Sequence, residues 1–263
     1  MSNLIIPEAF HTTYGTNFAH QAQQKVSRVT QYARVKTGCT GEVQTHNTVE
    51  EEDMTETTGQ RMAATQISEV GGEIRNVFPR KFTSTIGQDQ YDSVLMGTTV
   101  LPGSTIMQSQ VFANNRKCDD VFIDGITGVN RVGAGISGAD ESLHADLILP
   151  VDYVRTGADT ASNLTTAKLR YMKTQFEQNE FFGQDQQAAG AKLCVAINSA
   201  MKDAILDAPL VSDADKSRIN KWDDGELNHW NSMHFIRTER LPVDANNPLV
   251  KNAVVWGSNL VQF

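Results

Sequence analysis

The stretch from Pro102 to Gly128 constrains this chain more than any other. Ser104, after Pro102-Gly103, is a plausible N-cap, and Gly125 and Gly128 offer stops at the far end. Between them Met107, Val111, Cys118, Phe122 and Ile126 recur at helical spacing on one face of an amphipathic helix. Gln108, Gln110, Asn114, Arg116, Asp119 and Asp120 occupy the opposite face. About 22 residues at 1.5 Å each predict a rod of roughly 33 Å, as long as a small domain is wide. So polar a face excludes a membrane span. Whatever fold is adopted has to accommodate that rod.

The rest of the chain supplies a core for it. Of 263 residues, 40% are hydrophobic and 21% charged, enough apolar content for one large domain or two small ones. The net charge of −8 argues against a dedicated nucleic-acid binder, which needs a clustered basic surface. Cys39, Cys118 and Cys194 lie far apart without a CxxC pair, so neither a disulfide framework nor a zinc ribbon is expected. The opening residues carry no basic n-region or long apolar run, and no run reaches membrane-spanning length. We expect a soluble product of a reducing cytoplasm.

Taken in order, residues 1–16 form an irregular arm. A helix is predicted from about Asn17 to Val35, with Phe18, Ala22, Val26, Val29 and Ala33 on its apolar face. That face needs a surface, either this molecule's core or a neighbour's. Residues 36–92 are rich in Thr, Gly, Glu and Gln and offer little for a core. Short strands are predicted near 66–70 and 76–79, with Gly71-Gly72 as a turn signal. The segment therefore reads as a projecting two-stranded loop or arm. The run Glu50-Glu51-Glu52-Asp53, with Glu56 nearby, is a solvated face or a partner for basic residues on another subunit. It lacks the ligand spacing of a calcium loop.

After the long helix come a Gly-rich stretch, 129–138, and a predicted strand from Ala145 to Leu149. A helix follows from Thr165 to Asn179, with Thr165 as cap and Leu169, Met172 and Phe176 buried. A strand at 192–197 leads through Asn198-Ser199 into a helix ended near Asp207 by Pro209. Residues 212–230 are mostly loop, Met233 to Thr238 a strand, and Asn252 to Val255 a short last element.

Three groups of residues resemble chemical motifs. Gly133, Gly135 and Gly138 spell GxGxxG, but a dinucleotide site needs a strand before the loop and a helix opening on it. A helix precedes this loop and no good helix follows, so a hairpin tip or loop is favoured. Glu226, His229 and His234 lack the spacing that sets two imidazoles one helical turn apart, and no metal site is assigned. Asp120 and Asp124 share a face with Asp119 beside them, read as a solvated or subunit-facing edge and not as an acid–base pair. No GxSxG elbow occurs. Trp222 and Trp230, in a polar region, are core anchors or interface hot spots. Catalytic, cofactor-binding and metal residues are therefore assigned to none.

Several segments in this order carry a family likeness. They are Tyr14-Gly15-Thr16-Asn17 with His20 to Arg28, Arg80 to Leu95 leading into the long helix, and Leu164-Thr165 with Lys168-Leu169. Leu193 to Ile197 with the helix Ser199 to Leu206, and Phe235-Ile236-Arg237 with Glu239 to Pro242, complete the set. The chain resembles the tailed-bacteriophage major capsid proteins of the Hong Kong 97 fold. That resemblance implies an α+β fold with an N-terminal arm at 1–40 and an extended loop at 41–90. It further implies a peripheral domain at 91–160 with a spine helix at 104–126, and an axial domain at 161–263.

The implied function is a major capsid protein that assembles through pentamers and hexamers into the icosahedral head enclosing a double-stranded DNA genome, without specific DNA binding. Partners would be further copies, a scaffold, a portal and decoration proteins, with no membrane and no cofactor. The protein would reside in the virion after assembly in the host bacterial cytoplasm. Candidate interface residues are Phe18, Val26, Glu50, Glu51, Glu52, Asp53, Phe78, Arg80, Trp222 and Trp230. Relatives continue past the axial domain and return a strand to the peripheral sheet, which this sequence, ending at Phe263, does not show. The Lys–Asn cross-link of some relatives is not transferred. The rival readings are an encapsulin-like compartment, a phage tail or accessory protein, and a nucleotide-binding enzyme using the Gly133–Gly138 loop.

Overall fold

A computed structural model describes residues 23–49, 54, 71–85, 103–133, 138–154, 161–181, 183, 187, 190–206, 229–244, 250–258 and 260–261. The chain divides into two compact units. One comprises Met1–Ser27 and Lys81–Cys118, the other Arg28–Arg80 and Asp119–Phe263.

The second unit contains two sheets. In the first, β1 (Gln44–Val49), β2 (Gly72–Val77), β3 (Asn130–Val132) and β4 (Ala139–Glu141) lie in that order, every pair antiparallel. β1 and β2 pair along their full length from Gln44↔Val77 to Val49↔Gly72. β3 meets β2 only at Arg75 and Asn76, so the Val49/Gly72 end continues as a two-stranded ribbon. The two-stranded loop expected from composition is present, although Gly72 begins a strand instead of making the turn. The strand expected at 66–70 lies outside the described residues.

The second sheet holds the core. Its order is β6 (His229–Trp230), β7 (Met233–Arg237), β5 (Leu193–Ile197), β8 (Val254–Gly257), with β5 parallel to β7 and antiparallel to β8. All five residues of β5 are buried, because both faces of the sheet are covered. Leu193, Val195, Ile197, Met233 and Phe235 pack with Leu169 and Ile205 on one side. Cys194, Ala196, Ile236, Val254 and Trp256 pack with Phe122 and Ile123 on the other. The period-two alternation of a strand thus serves two cores at once.

Three helices supply the covering residues. The long helix α1 spans Gly103–Thr127, 25 residues and about 37 Å at the standard rise. Its expected apolar stripe is buried only in part. Phe122 and Ile123 are in the core, whereas Met107 and Val111 are 65% and 51% exposed. Helix α2 (Thr166–Gln178) begins as predicted, with the Thr165 side chain accepting from the Lys168 amide at 3.3 Å. Helix α3 (Ser199–Leu206) follows β5 directly, and Asn198 Oδ1 accepts from the Met201 amide at 2.8 Å.

Two predicted elements are replaced. Residues 145–149 are not a strand. They begin with a 3-10 turn, Ala145–Leu147, whose Asp146 amide is capped by the preceding His144 ring. Residues 23–35 of the expected first helix are irregular apart from one 3-10 turn at Thr30–Tyr32; positions 17–22 lie outside the described residues. The cause is tertiary. Asn115 Nδ2 donates to Lys25 O at 2.9 Å, and the Arg116 guanidinium to Gln24 O at 3.3 Å. The Asp119 carboxylate accepts the Arg28 amide at 3.2 Å and the Val29 amide at 3.4 Å. Backbone groups that a helix would pair internally are thus paired by α1 side chains.

This places the stability of the 24–29 segment on Asp119, which is fully buried. Asp119→Ala, leaving two amides without their acceptor, is expected to lower unfolding free energy by about 2 kcal/mol. Urea unfolding of the purified chain checks it, and Asp119→Asn, which keeps one acceptor oxygen, is expected to lose less.

Candidate functional site

The described members of the predicted site do not converge. Val26 is 70% exposed on the irregular segment. Phe78 and Arg80 follow β2 and are exposed, with the Arg131 guanidinium 6.0 Å from the Phe78 ring centroid. Trp230 ends β6 and packs, half-buried, against the core on the α2 and α3 side. Phe18, Glu50, Glu51, Glu52, Asp53 and Trp222 lie outside the described residues. Of the described positions, Val26, Phe78 and Arg80 share exposure, whereas Trp230 serves the core.

The three aspartates of α1 have separate roles. Asp119 is the buried acceptor described above. Asp120 makes an ion pair with Arg240 at 2.7 Å through both carboxylate oxygens, tying α1 to the segment after β7. Asp124 is exposed. The reading of Asp119 and Asp120 as a solvated or subunit-facing edge is therefore corrected, since core-directed amides and a guanidinium occupy them.

The glycine motif also has a settled geometry at its ends. Val132 pairs with Ala139 across it, so it joins two antiparallel strands. Gly133 has φ +111°, and a Cβ at Gly138 would meet the Val132 carbonyl oxygen at 2.4 Å. This is hairpin geometry, and among the described residues the element that follows the loop is the strand β4, not a helix that could receive a phosphate. His229 and His234 sit opposite each other on β6 and β7, while Glu226 is outside the described residues.

A shallow concavity that the sequence reading missed lies beside β7. It encloses about 360 Å³ and is lined by Arg28, Gln31, Tyr32, His234 and Arg237 with neighbouring β7 residues. The parts come from the 3-10 turn and from one edge of the core sheet. Trp256 Nε1 donates to Tyr32 O at 3.1 Å, and the Trp256 ring meets Phe122 edge-on at 5.3 Å. The Tyr32 hydroxyl lies 2.5 Å from His234 Nε2, and Arg28 donates to Arg237 O at 2.5 Å. Lys192 Nζ stands 5.8 Å from the Tyr32 ring centroid. Nothing in the local sequence signals this grouping, because its members are some 200 residues apart.

Electrostatics make the concavity basic and unreactive. Burial lowers the His234 pKa, with Lys192 and His229 adding to the effect. Burial raises Tyr32, and Cys194 raises it further. The Cys194 thiol beneath is pushed up to about 12 by burial, against a smaller opposing effect of Lys192, so it stays protonated and is no nucleophile. None of the five polar lining residues is acidic. Chemically, the surface can receive anions.

Two other charged groups serve the fold. Lys168 is buried, and its ammonium donates to Val151 O at 2.6 Å, Ser162 O at 2.7 Å and Asn163 O at 3.3 Å. Burial lowers its pKa, with Asp152 acting in the opposite direction. Glu239 accepts from the Ser199 amide at 2.9 Å and from its hydroxyl, at the start of α3. Those two bonds hold the Glu239 carboxyl below its ordinary 4.5, with a smaller effect from Lys251. The ionised form is favoured by folding, so its stabilisation is present above pH 4.5 and is lost as pH falls through the folded value. Glu239→Gln is expected to lower stability at neutral pH and to flatten its fall below pH 4.5, as read by urea midpoints between pH 3 and 7.

Comparison with known proteins follows from this geometry. The family described as "Phage capsid protein" matches residues 6–263. A chain in the capsid structure of cyanophage P-SCSP1u superposes with a TM-score of 0.58 at 14% identity, covering 97% of this chain and 79% of that one. A chain in the asymmetric unit of the bacteriophage PhiM1 mature capsid gives 0.56 at 11% identity, covering 95% and 78%. At such identities the likeness is one of fold. Among curated proteins none matches.

Proposed function

The chain belongs to the phage capsid protein family and is a major capsid protein of the phage head, and from that premise we propose that it assembles through pentamers and hexamers around double-stranded DNA. Its fold is the α+β capsid fold, it builds a shell of repeated copies, and its place is the virion. The family match across residues 6–263 carries this reading.

The finer reading assigns roles along the chain. Residues 1–40 act as the arm, 41–90 as the extended loop over a neighbouring copy, 91–160 as the peripheral domain and 161–263 as the axial domain. The role is structural, with no catalysis. Assembly takes place in the host cytoplasm with a scaffold, and a portal and decoration proteins join the head. Interface contacts fall at Phe18, Val26, the run Glu50 to Asp53, Phe78, Arg80, Trp222 and Trp230. Support comes from apolar side chains that a lone chain leaves in water: Val26, Val49, Phe78, Phe82, Met107 and Val111. Neighbours that cover such residues gain about 25 cal/mol per Å² removed from water.

Velocity sedimentation with negative-stain electron microscopy tests the reading. Closed shells, polyhedra or pentameric and hexameric capsomers are expected. A discrete monomer or dimer that never assembles, even with a scaffold supplied, overturns it. Val26→Asp and Phe78→Asp are expected to block assembly while shifting the unfolding free energy of the isolated chain by no more than about 0.5 kcal/mol.

A further inference from the structure

We propose that the basic concavity of Arg28, Gln31, Tyr32, His234 and Arg237 is the docking site for the acidic run Glu50-Glu51-Glu52-Asp53 of a second copy of this chain. The inference rests on the shell-forming reading above and names one contact within it.

The receiving surface is built to accept carboxylates. Two guanidinium groups, a glutamine amide and a tyrosine hydroxyl border it, and Lys192 stands over the tyrosine ring. Arginine presents several donors in a planar fork that suits carboxylates. The Asp119 carboxylate, buried one layer beneath, is committed to the amides of Arg28 and Val29. In a chain of net charge −8, such a surface is a local exception.

The run is the matching exception of opposite sign: four consecutive acids, with Glu56 close behind and no base among them. β1 ends at Val49, on the part of the ribbon that has passed beyond β3. Val49 is 78% exposed, and Met54, just after the run, is 102% exposed. Four adjacent like charges repel one another, and bases on another surface relieve that repulsion. Each copy carries both halves, so a head-to-tail contact that closes into rings satisfies every one. A nucleic-acid backbone offers the same charge, but it does not account for the acidic run.

The test uses the full chain with Cys39→Ser and Cys118→Ser, which removes the exposed and the half-buried thiol. One preparation carries Gln31→Cys and a second Glu51→Cys, and the two are co-assembled and oxidised. Cys194 is buried, so each chain then bears one accessible thiol and a disulfide-linked dimer reports the intermolecular contact. A dimer in mixed particles and none in either preparation alone is the expected result. In parallel, Arg28→Glu with Arg237→Glu is expected to raise the concentration needed for assembly about tenfold or more. Changing Glu50, Glu51 and Glu52 to Arg in the same chain is expected to restore it.

Particles that form normally without the cross-link, and without response to the charge exchange, overturn the proposal. So does protection of the Gln31→Cys thiol from labelling in DNA-filled heads but not in empty shells, which assigns the concavity to phosphate. If the unsubstituted chain makes no particles, the shell-forming reading itself fails, and the two failures are distinct.

Discussion

The covering of β5 on both faces is the constraint on which the second unit depends. Leu193, Cys194, Val195, Ala196 and Ile197 are each fully out of solvent. A strand so placed needs a hydrogen-bonded neighbour on each side and an apolar layer above and below. β7 and β8 meet the first need, and α2, α3 and the end of α1 the second. Each large side chain fully buried this way stabilises by about 1.5–3 kcal/mol. Removing any one covering layer exposes the alternate residues of all three strands together. The turn between β6 and β7 shows how firmly that frame holds, since Asn231 and Ser232 adopt φ of 53° and 64° without a glycine.

Outside that core, ionic side chains stand in for regular structure. Asp119 and Lys168 each collect backbone partners at places where no ladder or helix runs. Removing a charge from water is costly, and several hydrogen bonds at once offset the cost better than one. Lys168 gathers carbonyls from residues 151, 162 and 163, which pins an irregular segment against α2. This allows long loops to hold defined positions with few apolar residues of their own.

These same devices mark the limit of what the sequence reveals. α1, α2, α3, β5 and β7 were legible because their apolar spacing or capping residues are local properties. The β1–β2 ribbon was legible from composition, as a segment too polar to form a core. The helix expected at 17–35 failed in its described part because its spacing was real but its backbone found better partners on α1: Asn115, Arg116 and Asp119 lie about 90 residues away in sequence. Likewise, nothing local to Asp119 or Asp120 announces an amide or guanidinium partner, and both looked like surface acids. The concavity beside β7 was invisible for the same reason, being assembled from residues 28–32 and 234–237. The order of segments pointed to a family, but residue roles at an interface need neighbours that one chain does not display.

The unequal burial of α1 has a physical consequence for a shell-forming chain. An apolar stripe continuous along the helix would, if wholly buried, leave nothing for a neighbour; if wholly bare, it would aggregate. Here Phe122 and Ile123 are committed to the core, while Met107 and Val111 stay in water among Gln108, Asn114 and other polar residues. Each exposed apolar residue of this kind adds to a contact when copies meet. Affinity per contact is then modest, and the strength of a closed shell comes from engaging many contacts at once, as linked weak sites outperform any single one. Such a design also keeps early mistakes reversible, because a misplaced copy held by one weak contact leaves before others trap it.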